Sequence, residues 1–345
     1  MEEMDSFTVE DIDHLPLVQK LKSDAIGHEQ GFIRIHPYNQ VFPGTMKRYV
    51  KRILDFHVNS DDTFVGSFPK CGTTWTQELV WCLLNNLDYE KSSATILDER
   101  VPYFEWTAIS KSITVTTQQD CLWGKDSLSL VADLPTPRII KTHLKFDMLP
   151  SALQTYLGQA SNTTPKFIYV SRNPRDACVS LFYHWKLLEG YQGSFDDFAE
   201  LFLNDLSGFY CPFFAHVISY WDKRDNPNIL FLKYEDMKHD LPSVIQKVAT
   251  FLNKEISDEG IKDLAEHLSF KSFKSNPALN RVGRVKHAND VHSAKIEDYK
   301  KPEHGFIRKG QVGDWVNHFS DVLLQKFIEW EKKAYGTTEL RFDYE

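Results

Sequence analysis

The sequence lacks any apolar run near the ~20 residues that a membrane-spanning helix needs. Its longest candidate, 79–84, sits inside an amphipathic pattern. Residues 1–15 are acidic and contain no apolar stretch of the secretory-signal kind. The last five residues carry no prenylation, ER-retention or peroxisomal signal. A cytoplasmic protein with no membrane contact is expected. Among the five cysteines, Cys71, Cys82, Cys121, Cys178 and Cys211, no C-x-x-C occurs, so zinc ribbons and thioredoxin-like redox sites lose support. Their odd number and scatter fit reduced thiols. No fixed-period repeat and no long Gly/Ser- or Pro-rich linker marks a domain boundary. Positive charge is not in excess either. Lys plus Arg number 40 against 48 Asp plus Glu, a net charge of −8. That argues against nucleic acid or an anionic membrane as partner, yet leaves room for a local basic pocket.

What is present is ordinary for a globular chain of 345 residues, with 42% hydrophobic and 26% charged residues. A chain of this length buries about three quarters of its unfolded surface and needs no disulfide or metal staples. Aromatics are plentiful, with 24 Phe, 14 Tyr and 8 Trp. They fit either a Phe-rich core or an apolar binding cavity, and composition leaves both readings open.

Along the chain, 1–60 reads as an irregular segment that wraps a main domain over 61–335, with a tail at 336–345. Short β-prone runs at 63–67, 138–142, 166–171 and 228–234 alternate with helical spacing at 73–86, 176–189, 241–252, 258–268 and 320–334. This order predicts an α/β fold: a single domain with a central parallel sheet flanked by helices. Residues 88–137 are weakly periodic and read as a loop with short helices. Residues 276–306 show little periodicity and several basic residues (Arg281, Arg284, Lys286, Lys295), either a solvated loop or a lid over a ligand.

In α/β folds, ligands bind where strands end and helices begin. Four segments put cations or polar donors at such turns. Phe68-Pro-Lys-Cys-Gly-Thr-Thr-Trp75 forms a P-loop-like strand–loop–helix. Its Gly72 permits close backbone approach, its helix start holds an anion, and Lys70, Thr73 and Thr74 add charge and hydroxyls. It is not the Walker pattern, because Lys precedes Gly and the first Gly is missing. Ile139-Ile-Lys-Thr-His143 leaves Lys141 and His143 two apart on one side of a strand. A cation beside an imidazole favours its neutral form, which suits a general base, although a structural histidine fits too. In Tyr169-Val-Ser-Arg-Asn-Pro-Arg-Asp-Ala-Cys-Val-Ser180, Arg172 follows a strand and Ser180 falls in the next helix. Arg172 suits bidentate phosphate contact, and the alternative is a purely structural Arg–Asp pair. Phe306-Ile-Arg-Lys-Gly-Gln-Val-Gly-Asp-Trp315 is a basic turn with two glycines.

The ordered set F-P-K-C-G-T-T-W, K-T-H, S-R-N-P-R-D-A-C-V-S, Y-E-D-M and R-K-G-x-x-G-D-W resembles the cytosolic sulfotransferases over 61–330. Spacing and Phe content resemble the insect branch that includes retinol dehydratase. The resemblance implies transfer of a sulfonate from 3′-phosphoadenosine 5′-phosphosulfate (PAPS) to a small apolar or aromatic alcohol, phenol or amine, leaving PAP. It implies no metal, and a small-molecule acceptor as the partner. Lys70, Cys71, Gly72, Thr73, Thr74 and Trp75 would hold the 5′-phosphosulfate, with Trp75 on the adenine. Arg172 and Ser180 would bind the 3′-phosphate, and Arg308, Lys309 and Gly310 would close on it. Tyr234, Leu268, Ser269, Phe270, Phe273 and Phe306 would line the nucleotide. His143 would be the base, Lys70 and Lys141 would stabilise charge, and His184 would sit near the acceptor.

Departures from the family pattern are Cys71 for a hydroxyl residue and Leu268 for Thr. The family dimer motif is unmatched at Val316, Ser320, Asp321 and Gln325, so a homodimer is left open and unsupported. Segments 88–137 and 276–306 are longer than in typical mammalian members and flank the expected acceptor pocket. Rival readings are a retinol-dehydratase-like eliminating enzyme, a non-catalytic PAP-binding protein, and a nucleotide kinase or NTPase. The absent Walker lysine and acidic metal motif count against the last.

Overall fold

A computed structural model describes residues 7–110, 126–158 and 164–344. Four strands, β4 (Thr63–Gly66), β5 (Ile139–Thr142), β6 (Lys166–Ser171) and β7 (Ile229–Lys233), pair in parallel in the order β5-β4-β6-β7. Every residue of β4 and β5 is buried, and all of β6 except its first, as parallel strands require when both faces are covered. Side chains alternate between two cores, one per face. Phe64, Phe167 and Tyr169 enter an aromatic-rich core with Tyr220 stacked 4.1 Å from Tyr169. Val65, Ile168 and Val170 enter an aliphatic one. The expected single α/β domain with a parallel sheet flanked by helices is what folds, and much of the aromatic surplus is core.

Register decides where function sits. Gly66 is level with Thr142 on one side and Tyr169 on the other, so the C-terminal ends of β5, β4 and β6 lie abreast. The helix Thr73–Leu84 follows β4 and Pro174–His184 follows β6. The second helix continues as a π-helical turn, Trp185–Glu189, where the sequence pattern predicts an unbroken helix to 189.

Two expectations need correction. The segment 1–60 is not irregular. It forms a three-stranded antiparallel sheet of β1 (Thr8–Asp11), β2 (Phe32–His36) and β3 (Gln40–Pro43), whose Phe32, Ile35, Val41 and Phe42 join the aromatic core. Pro37, Pro43 and Gly44 beside and within these strands read as loop signals and hid them. The segment 276–306 is not a solvated loop: a 14-residue helix, Val282–Lys295, runs through it. Only His292 of that helix is buried, so no apolar stripe announces it. The helices Phe195–Leu203 and Phe213–Trp221 also went unpredicted. Residues 88–137 do contain short helices, Tyr89–Ala94, Leu97–Arg100, Trp106–Ile109 and Ser127–Ala132. Cys121 and 111–125 lie outside the described residues.

Just ahead of β4 and β5 a buried pair joins the two strands. Arg138 Nε donates to Asp62 Oδ1 at 2.8 Å and its NH2 to Oδ2 at 2.5 Å. Removing one partner strands a buried charge. Asp62→Ala is expected to lower unfolding free energy by about 3–5 kcal/mol in denaturant titration; a loss below about 1 kcal/mol would mean that the pair does not fix these strands.

Candidate active site

One cavity of about 450 Å³ opens at the aligned strand ends. All four basic or polar turns singled out in the sequence reach it. Of the predicted residues only Cys71 and Ser269 are absent from its lining. The Cys71 thiol is fully buried, 3.8 Å from the Pro69 carbonyl oxygen, and burial pushes it well up from the usual thiol range. Ser269 instead caps the helix Phe270–Ser275, accepting from Ser272 N at 3.3 Å.

The loop after β4 is conformationally specific. Gly72 takes φ +107°, and a Cβ there would meet Tyr234 Cδ2 at 2.8 Å, so only glycine fits. Gly72 caps the Thr73–Leu84 helix with no side-chain acceptor, which leaves first-turn N–H groups available to an anion alongside Thr73 and Thr74. Lys70 is itself left-handed, φ +70°, a strain of the kind held at functional sites. Its Nζ lies 4.3 Å from the Phe306 ring centre. Burial, then Arg281, Arg172, Arg284 and Arg308, pushes the Lys70 pKa down to about 7.

Trp75 Nε1 donates to the Leu268 carbonyl at 2.9 Å and sits edge-on to Tyr234. Phe270, Phe273 and Ser180 line the same end. The Arg172 guanidinium stacks 4.5 Å over Tyr234 and donates from NH2 to Gln311 O at 2.6 Å, while its buried Nε has no partner. Asp176 answers the question of the Arg–Asp pair. It lies 3.5 Å from Arg172 and accepts from Gly313 N and Trp315 N, so it anchors the late basic turn to the helix start. In that turn Arg308 and Lys309 both bind Asp314 at 2.6 Å. Burial opposes ionisation of Asp314, but hydrogen bonds from Lys309, Arg308 and Asn317 hold its carboxyl well below the usual range.

At the end of β5, Lys141 Nζ lies 3.8 Å from the Tyr103 ring centre. His143 Nδ1 is 2.7 Å from the Ser67 carbonyl oxygen. A carbonyl only accepts, so Nδ1 carries the proton and Nε2 keeps its lone pair. Burial, then the Lys141 charge, pushes the His143 pKa well below 6.5. Burial, more than the adjacent cation of the sequence argument, keeps this imidazole neutral. The His143 N–H donates to Glu105 Oε1 at 2.6 Å, and Thr142 Oγ1 donates to Oε2 at 2.9 Å. Burial raises Glu105 to about 7 against those bonds. Behind His143 a buried relay runs back to the loop. Phe68 N donates to Tyr169 Oη at 3.2 Å, Tyr169 Oη donates to His216 Nδ1 at 2.9 Å, and His216 Nε2 donates to His143 O at 2.7 Å. His184 lines the cavity with a buried Nδ1 that has no hydrogen-bond partner.

A family model described as "Sulfotransferase domain" matches residues 60–339. The chain belongs to the sulfotransferase family. It is 38% identical over 291 residues to luciferin sulfotransferase of Photinus pyralis, covering 83% of this chain and 75% of that one. With sulfotransferase 1C2 of Rattus norvegicus it shares 33% over 293 residues, covering 84% and 88%. Among solved structures, retinol dehydratase in a complex with retinol and PAP matches with a TM-score of 0.82 at 30% identity, covering 98% of this chain and 99% of that one. Retinol dehydratase with androsterone and inactive cofactor PAP gives 0.82 at 30%, covering 98% of each. The resemblance drawn from the motifs is borne out, and a kinase reading falls away.

This sulfotransferase cavity also holds residues that the sequence did not single out for it. Tyr103 and Trp106 come from an aromatic cluster, Tyr103-Phe-Glu-Trp106, whereas Tyr210 carries no local signal; nor do Glu105 and His216, which hold the His143 backbone from outside the lining. Arg281 and Arg284, basic residues of the 276–306 segment, line the cavity as well. Outside the cavity, Glu78, Cys82 and His267 gather within 4.8 Å of one another, a grouping that the sequence spacing hid. Glu78 there already pairs with Arg100 at 2.7 Å and His267 at 2.8 Å, so it reads as an ion-pair network. No helix among the described residues is long and apolar enough to cross a membrane.

Burial holds the His216 pKa near 3, down from 6.5. Between those values the unfolded chain binds more protons, so the stability tied to neutral His216 is complete above 6.5 and is lost as pH falls toward 3. Urea midpoints are therefore expected to drop as pH is lowered below 6.5, with a shallower slope for His216→Gln. Identical slopes would show that His216 charges freely in the fold.

Proposed function

We propose that this sulfotransferase moves a sulfonate from PAPS to the hydroxyl, or amine, of a small apolar or aromatic acceptor by in-line displacement. The observation that carries the reading is the Nδ1-protonated His143, whose basic Nε2 belongs to a cavity shared with Lys70 and Lys141. Several features fit the nucleotide. The glycine-cradled loop and open helix start suit a 5′-phosphosulfate. The orphaned Arg172 Nε and the depressed Lys70 both call for an anion. Arg308, Lys309 and Gly310 would meet the 3′-phosphate, with Trp75, Tyr234, Phe270 and Phe273 around the base.

PAPS supplies the sulfonate and leaves as PAP. The acceptor oxygen forms a bond to sulfur while the bond from sulfur to the PAP phosphate oxygen breaks, and His143 takes the acceptor proton. Lys70 and Lys141 offset charge on the bridging and equatorial oxygens. Positioning in line supplies much of the remaining rate. His184, with its free Nδ1, would face the acceptor.

A second reading is favoured by the TM-score of 0.82 to retinol dehydratase over 98% of this chain. In it the same site sulfonates an alcohol that then loses sulfate and a neighbouring proton, leaving an alkene. Mass spectrometry of products from phenol, steroid and retinoid acceptors with PAPS separates the two: a sulfated product supports transfer, a dehydrated one elimination. For either chemistry His143→Ala is expected to lower kcat about a hundredfold to ten-thousandfold with PAP affinity retained. Turnover near the wild-type rate would sink His143 as base.

A further inference from the structure

The cavity holds more positive side chains than sulfonate transfer uses. Its lining carboxylates are Asp98 and Glu189, and the charge of each acts on Arg284 from beyond ion-pair distance. Asp98 takes the Arg281 guanidinium in a two-point ion pair, with NH2 to Oδ1 at 2.6 Å, and Glu189 Oε2 lies 3.5 Å from His28 Nε2. Arg308 and Lys309 share Asp314. Arg284, in the first turn of the helix Val282–Lys295, also lines the cavity. Its guanidinium carbon lies 4.1 Å from the Trp106 ring centre. Among the described residues it has no ion-pair partner. Burial and the neighbouring Arg281 push its pKa down only to about 10, so it stays charged at neutral pH. The Arg281–Asp98 pair at the helix start holds this segment over the cavity.

A ladder of rings joins this cation to the transfer site. His143 and Tyr103 are 5.3 Å apart, Tyr103 and Trp106 are 5.8 Å apart, and Arg284 lies over Trp106. A charge held against an apolar wall is stabilised by an anion that forms bidentate hydrogen bonds with it. The three steps bound the span from the His143 ring to the Arg284 guanidinium at about 15 Å, which, less a contact of about 3 Å at each end, leaves room for one or two aromatic rings between hydroxyl and carboxylate.

We infer that Arg284 is a specificity-determining residue for acceptors that carry a carboxylate. The hydroxyl lies at His143, one or two rings lie along Tyr103 and Trp106, and the carboxylate pairs with Arg284. This rests on the sulfonate-transfer reading above. It names the acceptor class as hydroxylated aromatic acids rather than neutral phenols alone.

The test is calorimetric titration of the PAP-saturated protein with a hydroxynaphthoic acid and with its methyl ester. The acid is expected to bind about tenfold tighter or more. Arg284→Gln is expected to abolish that preference and Arg284→Lys to keep part of it. Equal affinity of acid and ester in the wild type, or no binding of the acid, overturns the inference. So does an Arg284→Gln variant that weakens PAP binding while the acid-to-ester ratio stands, because Arg284 would then serve the nucleotide. Turnover of plain naphthol with PAPS separately reports on sulfonate transfer. Its failure would sink that reading without touching the binding comparison.

Discussion

The contact between His143 Nδ1 and the Ser67 carbonyl ties the end of β5 to the end of β4, and the rest of the site is arranged around it. It sets the imidazole tautomer with a backbone atom that cannot titrate. Because Ser67 begins the loop that carries Lys70, one bond couples the placement of the imidazole to that of the loop. The Phe68–Tyr169–His216–His143 relay closes the same circuit from below. Glu105 holds the backbone of His143 from the other side. Each buried polar group in this circuit has a partner, so moving any one of them leaves another unsatisfied.

Electrostatics give the cavity its second character. The chain as a whole is acidic, yet Lys70, Lys141, Arg172, Arg281, Arg284, Arg308 and Lys309 all line one space. Their mutual repulsion and burial show in Lys70, held near 7, and in Lys141, pushed well below its usual value by burial and then Arg281. Both lysines lie where an incoming anion would raise their proton affinity. Asp314 and Asp98 offset part of this charge at the two ends of the cavity. The folded state thereby tolerates this density of positive charge.

Much of this was legible in the sequence. Strands buried on both faces stand out as short apolar runs, and β6 was read at its observed bounds, 166–171. Cationic turns at the strand ends are compact motifs, so Lys70, Lys141, His143, Arg172 and Arg308 could be named before any geometry. What stayed hidden depends on partners far along the chain. Glu105 matters because β5 brings His143 to it, and His216 because Tyr169 lies beneath the loop. The Val282–Lys295 helix has one side toward a cavity and another toward solvent, so neither face carries the apolar period that betrays a helix. Cys71 shows how much a motif leaves open. A position inside a binding motif can face the core, and there the thiol fits among buried atoms.

The π-helical turn at Trp185–Glu189 contributes His184's neighbours Trp185, Leu187 and Leu188 to the cavity wall. A π turn accommodates one residue more than the α-helix around it. The phase of the wall is therefore set by chain length as well as by side-chain type. Loss of a single residue here would let the backbone relax to regular α-helix and swing the flanking side chains by about 100°. Deletion of one codon would thus remodel this wall of the cavity in a single step, without altering a residue of the loop after β4.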